Sequence, residues 1–173
     1  SAFNSYNYPA LAKAGVHITY QPHLVHYNDL KAELKLHTKY DPNVTILKIF
    51  PGIQQPAVRA ILRTKGLKAV VLETFGAGNA PSATWLYKEL KAAVDKGIII
   101  VNKTQCNTGS VEMGLYAVSL NLMKAGVLSG YDITTEALLT KMMYLLGEYP
   151  DNTEMVKQLL LTNLCGEVTM DEN

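Results

Sequence analysis

Two stretches of the chain concentrate residue types that bind or transform small polar molecules: Gly76-Ala77-Gly78-Asn79-Ala80-Pro81 and Asn102-Lys103-Thr104-Gln105-Cys106-Asn107-Thr108-Gly109-Ser110. In the first, closely spaced glycines permit a tight turn through positive φ. Asn79 then offers an amide that both donates and accepts hydrogen bonds. Held on such a turn, it suits a ligand bearing carboxylate, ammonium or amide groups. The pattern starts like a phosphate-cradling G-x-G-x-x-G, but Pro81 replaces the third glycine and no P-loop lysine follows. The bland reading of this segment is a structural turn between a strand and a helix. In the second stretch, Cys106 would need a base such as histidine to act as a thiolate nucleophile. All four histidines (His17, His23, His26 and His37) lie in another segment, so a cysteine packed beneath a strand-end loop is expected. Their spacing fits no zinc-ligand pattern, and Cys106 and Cys165 lie far from them. No carboxylate pair and no Ser-His-Asp order stands out. The expectation is a ligand-side edge without a catalytic set, a metal or a cofactor.

Both stretches sit where strands hand over to helices. Val44-Thr45-Ile46-Leu47-Lys48-Ile49-Phe50 reads as a β-branched strand stopped by Pro51-Gly52. A helix follows over Pro56–Lys65, with Val58, Ile61 and Leu62 on one face and Gly66 as its stop. Lys68–Thr74 is the next strand and runs into the Gly76–Pro81 turn. Ser82 is expected to cap a helix that continues to Lys96, with Gly97 beyond it. Ile98–Asn102 is a third strand, apolar throughout, as befits a strand covered on both faces. Helices are predicted over Glu112–Ala125, Thr134–Leu146 and Asn152–Thr162, the second with amphipathic spacing at Ala137, Leu138, Lys141, Met142 and Leu145.

Strands alternating with helices imply a three-layer α/β domain, built on a short parallel sheet of about four strands with right-handed crossovers. In such sheets ligands lie beyond the carboxyl ends of the strands, which places Thr74–Pro81 and Asn102–Ser110 at one edge. The first 43 residues look different. Gly15–Tyr20 reads as a strand, Leu30–Lys39 alternates weakly as a second, and the residues around Pro9 suit a linker. Trp85, Tyr87, Leu90, Met142, Met143 and Tyr144 are expected in a core or an interface.

Composition narrows the class of function. At 173 residues, 48% hydrophobic and 18% charged, the chain suits one folded domain. A net charge of +1 from 16 basic and 15 acidic residues gives no electrostatic case for nucleic acid or an anionic membrane. Two cysteines are no disulfide framework, and no apolar run is long enough to span a bilayer, so a cytoplasmic location is expected. Ser1–Pro9 does not read as a signal peptide, and a preceding N-terminal portion is left open.

At Leu72-Glu73-Thr74-Phe75-Gly76-Ala77-Gly78-Asn79-Ala80-Pro81, together with Val101-Asn102-Lys103-Thr104-Gln105-Cys106, the chain resembles the C-terminal domain of cytosolic (type I) bacterial L-asparaginases. Phe3-x-Ser5-x-Asn7-x-Pro9 resembles their interdomain segment, and Ile49-Phe50-Pro51-Gly52-Ile53 their next strand end. The segment Ala125-Gly126-Val127-Leu128-Ser129-Gly130-x-Asp132-Ile133-Thr134-x-Glu136-Ala137 resembles the one before their last helices. The matches run in order along essentially the whole chain. The resemblance implies residues 1–15 as an interdomain linker and 16–173 as the C-terminal domain. It further implies hydrolysis of L-asparagine to L-aspartate and ammonia by a homo-oligomer, with a threonine nucleophile on an N-terminal domain.

No catalytic residue is expected in this chain, which should be inactive when isolated. Asn79 aligns with the asparagine that reaches a neighbouring subunit's substrate, a positioning role. Some members carry an allosteric asparagine site, and the resemblance places Glu73, Thr104 and Cys106 in that ligand loop. Glu73 stands where those members have an arginine, so the grip on a carboxylate does not carry over. Ser110, with Glu112 nearby, stands where periplasmic relatives supply a glutamate, and that role does not carry over either. The alternative is a stand-alone α/β small-ligand-binding or interaction domain without catalysis.

Overall fold

The computed structural model describes residues 7–25, 33–112 and 117–169, and for 117–118 the backbone alone. The chain divides into two compact units, residues 1–37 and 38–173.

In the first unit, β1 (Ala12–Ala14) and β2 (Ile18–Tyr20) form an antiparallel pair, Ala12 opposite Tyr20 and Ala14 opposite Ile18. The Gln21 side chain donates to the Ala10 carbonyl at 2.8 Å, and the Tyr8 hydroxyl donates to the Leu24 carbonyl at 2.8 Å. The strand expected over Gly15–Tyr20 is thus confined to its second half, because Gly15 to His17 make the turn. The strand expected over Leu30–Lys39 is not formed over 33–39, the part that is described. Leu34 and Leu36 are 99% and 82% exposed there, so the alternation has no surface to bury. His17, His23 and His37 are exposed, and His26 lies outside the described residues.

The second unit is a three-layer α/β fold. Its parallel sheet runs in the order β3 (Val44–Lys48), β4 (Ala69–Thr74), β5 (Ile99–Thr104) and β6 (Leu128–Ser129). The connecting helices are α1 (Gln55–Leu62), α2 (Thr84–Val94) and α3 (Ala117–Lys124), followed by α4 (Thr135–Glu148) and α5 (Thr153–Leu160). Because the side-chain period of a strand is two, alternate residues feed two separate cores. Val70, Leu72 and Ile100 pack with Val58, Leu86, Leu90 and Leu122 of α1, α2 and α3. Ala69, Val71, Ile99 and Val101 pack with Leu138, Met142, Leu145 and Val156 of α4 and α5. All six residues of β4 and of β5 are buried, which accounts for their unbroken apolar starts.

Helix ends follow the local chemistry in two cases and depart from it in one. The Thr134 hydroxyl accepts from the Ala137 amide at 3.2 Å, and the Asn152 side-chain Oδ1 accepts from the Met155 amide at 3.0 Å. Ser82, by contrast, does not cap α2. The helix starts at Thr84, and its N-cap is Ala83, which makes no side-chain capping bond. The Ala83 carbonyl instead accepts from the Leu86 amide, and the Pro81 carbonyl accepts from the Tyr87 hydroxyl. Those contacts set the start of the helix one residue beyond the reach of Ser82. Helix α3 is described over Ala117–Lys124; Glu112, its expected first residue, is not helical, and residues 113–116 lie outside the described residues.

Candidate functional site

The carboxyl ends of β3, β4 and β5 gather the polar residues marked out by the sequence. Strand β5 extends to Thr104, two residues past its expected end. Asn102, Lys103 and Thr104 pair in register with Leu72, Glu73 and Thr74. Polar side chains in a fully paired strand must satisfy each other, since their water is gone. The Thr74 hydroxyl donates to the Asn102 side-chain Oδ1 at 2.6 Å, and the Asn102 side-chain Nδ2 donates to the Gly78 carbonyl at 3.1 Å. The Gln105 amide donates to the Thr74 carbonyl at 2.8 Å. Its side chain donates to the Glu73 carbonyl at 3.0 Å and also to that of Ile49, closing the ends of β3 and β4.

From this edge springs the turn that holds Asn79. Its amide donates to the Phe75 carbonyl at 2.7 Å, and its carbonyl accepts from the Phe75 amide at 2.7 Å. Gly78 is buried at φ +100°, and a Cβ there would meet Val111 Cγ1 at 2.7 Å and Asn102 Nδ2 at 3.0 Å. A glycine is therefore required by both conformation and space. The Ala77 carbonyl accepts from the Glu112 amide at 3.1 Å, which pins the turn from a further side. Asn79 itself is half-buried.

The three residues placed in a ligand loop are not equivalent. Glu73 is 8% exposed, and its carboxylate accepts from the Thr135 hydroxyl at 2.6 Å and faces the Lys48 ammonium at 3.5 Å. Thr104 is buried and accepts from the Cys106 amide at 3.0 Å. By the pleat, Glu73 and Lys103 face α4 while Thr74, Asn102 and Thr104 face the other layer. The sheet thus separates Glu73 from Thr104. Cys106 is an exposed free thiol rather than one packed beneath the loop, because it follows the last sheet bond, from the Gln105 amide to the Thr74 carbonyl. Ser110 and Glu112 line a separate groove of about 830 Å³ with Ser129, Tyr131 and Asp132.

The sequence pattern marks Asn79 but not Asn102, whose side chain bonds the turn, nor Thr74, which bonds Asn102. The available signal was Asn102 itself, a polar residue closing an otherwise apolar strand. Among the described residues no group of three or more His, Cys, Asp or Glu is placed to hold a metal ion. No described helix is long and apolar enough to cross a membrane. The arrangement supplies a half-buried amide on a fixed turn, beside buried polar groups that already have partners.

Comparison with known proteins matches this architecture to one family. The model of the glutaminase/asparaginase C-terminal domain covers residues 43–159. L-asparaginase 1 of Escherichia coli is 42% identical over 173 residues, which is 99% of this chain and 50% of that protein. The human 60 kDa lysophospholipase is also 42% identical, over 98% of this chain and 29% of that protein. The crystal structure of L-asparaginase I from Vibrio cholerae is similar with a TM-score of 0.86 at 38% identity, covering 98% of this chain and 52% of that one. The chain spans about half the length of these two bacterial asparaginases and under a third of the lysophospholipase. With the sheet order, the glycine turn and these matches in agreement, the chain belongs to the glutaminase/asparaginase C-terminal domain family.

Proposed function

We propose that this domain works in an L-asparaginase, hydrolysing L-asparagine to L-aspartate and ammonia together with an N-terminal domain that bears the nucleophile. Residues 1–15 link it to that domain. Its own contribution is to support a homo-oligomer and to present Asn79 to a neighbouring subunit's substrate. A single observation carries this reading. Asn79 is half-buried on a turn locked by its backbone bonds to Phe75, while Thr74, Asn102, Thr104 and Glu73 beside it are buried and engaged. An amide so placed can hydrogen-bond an ammonium or a carboxylate, which orients a substrate without breaking its bonds. The thiol of Cys106, which follows β5, has no histidine in its own segment to activate it.

A cytoplasmic location follows from the type I likeness. Regulation by a second asparagine is the finest part of the reading. Of its loop residues Cys106 is exposed, whereas Glu73 and Thr104 are buried on opposite faces of the sheet. A negative Glu73 repels a ligand carboxylate, so activation by asparagine is expected to be weak or absent.

The test measures ammonia release from L-asparagine. The 173-residue chain alone should release none, and the full-length protein should turn over. In the full-length protein Asn79→Ala should lower kcat/KM by about 1–3 kcal/mol of transition-state stabilisation, the cost of one lost polar contact. Unchanged kcat/KM removes Asn79 from the site. Enzyme-like ammonia release by the isolated chain overturns the placement of the nucleophile. Because one relative at equal identity is a lysophospholipase, a lysophospholipid belongs in the same assay as the competing substrate.

A further inference from the structure

We infer that Asn102 is a positioning residue for the reaction, acting through the turn that carries Asn79. This rests on the reading of Asn79 as the substrate contact and extends it to a group that never meets the substrate. Asn102 is fully buried on β5, and both of its side-chain functions are directed. The Gly78 carbonyl can only accept, so the nitrogen of the amide faces it at 3.1 Å, and the amide oxygen then faces the Thr74 hydroxyl at 2.6 Å. The same residue's backbone carbonyl accepts from the Gly130 amide at 2.8 Å. Asn102 therefore ties three things together: the end of β4, the segment after β6, and the residue immediately before Asn79.

Geometry makes this tie matter more than an ordinary buried hydrogen bond. Gly78 sits at φ +100° with no Cβ, and its carbonyl is the last backbone group before Asn79. Glycine has the widest choice of backbone conformations. Without a partner for its carbonyl the turn keeps its Phe75 bonds and the Glu112 contact but loses its side-chain tie to β5, and the Asn79 side chain shifts with it. The paired Asn79 and Phe75 bonds close the turn on itself, while Asn102 is the side chain that anchors it to the sheet. An error of about 1 Å in the reach of Asn79 is enough to lose much of an orienting contact.

The experiment is a double-mutant cycle in the full-length protein, read as L-asparagine kinetics beside hydrogen exchange of the turn amides. Asn102→Ala should lower kcat/KM about tenfold, the size of one buried hydrogen bond. In the Asn79→Ala background the same change should cost less than about twofold, because the side chain it positions is gone. In parallel the Asn79 and Gly78 amides should lose protection while those of Val70 to Leu72 in β4 keep theirs. If Asn102→Ala folds poorly, Thr74→Val provides the same readout, since it removes the hydroxyl that orients the Asn102 amide while keeping its shape. Equal losses in the two backgrounds would overturn the inference, as would a turn that stays protected without Asn102. Should Asn79→Ala alone leave kcat/KM unchanged, the Asn79 reading fails, and the exchange data still decide whether Asn102 holds the turn.

Discussion

Two buried polar clusters stabilise opposite regions of the second unit, and they differ in what they do with their charge. At the strand edge, Thr74 and Asn102 form a neutral network that ends in the Gly78 carbonyl. On α4, Lys141 is 6% exposed and pairs with Glu167 at 2.6 Å. Its ammonium also donates to the Leu160 carbonyl at 3.3 Å and to that of Thr162, at the C-terminal end of α5. Glu167 in turn accepts from the backbone amides of Leu164 and Cys165 at 3.1 and 2.8 Å. The ion pair folds the segment after α5 back onto α4 and spends every partner on structure. The neutral network instead fixes a turn whose next residue is the half-buried Asn79. Burial of a polar group is therefore no sign of function by itself. What decides is the residue the network holds in place.

The comparison breaks if the two clusters respond alike. Removing one partner of a buried ion pair strands the other charge, so Lys141→Ala should cost about 3–5 kcal/mol in denaturant unfolding. The kinetics of the molecules that remain folded should be unaffected, and a matched loss of kcat/KM would make Lys141 part of the site. Acid reads the same pair without a truncation. Burial alone would raise the Glu167 carboxyl, but the Lys141 ammonium and the backbone amides outweigh it and hold it at about 2, against an ordinary 4.5. A depressed carboxylate contributes stability above its unfolded value and loses that contribution as pH falls through its folded value. The wild type should therefore lose stability between about pH 4.5 and 2 through this group. Glu167→Gln should flatten that part of the pH profile. An unchanged slope would mean that other carboxylates control acid unfolding.

Gly78→Ala sharpens the contrast from the other side. A left-handed backbone and a Cβ at 2.7 Å from Val111 should cost about 2 kcal/mol of stability. Unlike Lys141→Ala, it should also cut kcat/KM in the molecules that stay folded. The smallest effect on stability belongs to Asn79→Ala, expected within about 0.5 kcal/mol of wild type because a half-buried side chain on a turn packs little. A large loss of stability there would show that the Asn79 side chain holds its own turn.

Much of the frame was legible because its cause is local. Helix α4 announces itself through the Thr134 cap and the apolar spacing of Leu138, Met142 and Leu145, and α5 through Asn152. Strand β4 was read to within a residue, since Ala69-Val70-Val71-Leu72 is apolar on both faces. The misses share a different cause. Two residues are too few to leave a period, so β6 exists only because Leu128 and Ser129 pair with Val101 and Asn102. The polar end of β5 looked like loop because nothing local says that Lys103 and Thr104 will face Glu73 and Thr74.

For the site, the sequence by itself determined that Asn79 follows a glycine turn at a strand end, because turn chemistry and strand patterning act over neighbouring residues. It also determined the family, since a motif order along the whole chain survives without coordinates. Only the tertiary structure decided that Asn102 grips that turn and that the sheet parts Glu73 from Thr104. It also decided that Cys106 stands in the open. Those facts depend on the register between strands about 30 residues apart, which is fixed by burial of both sheet faces and not by any local signal.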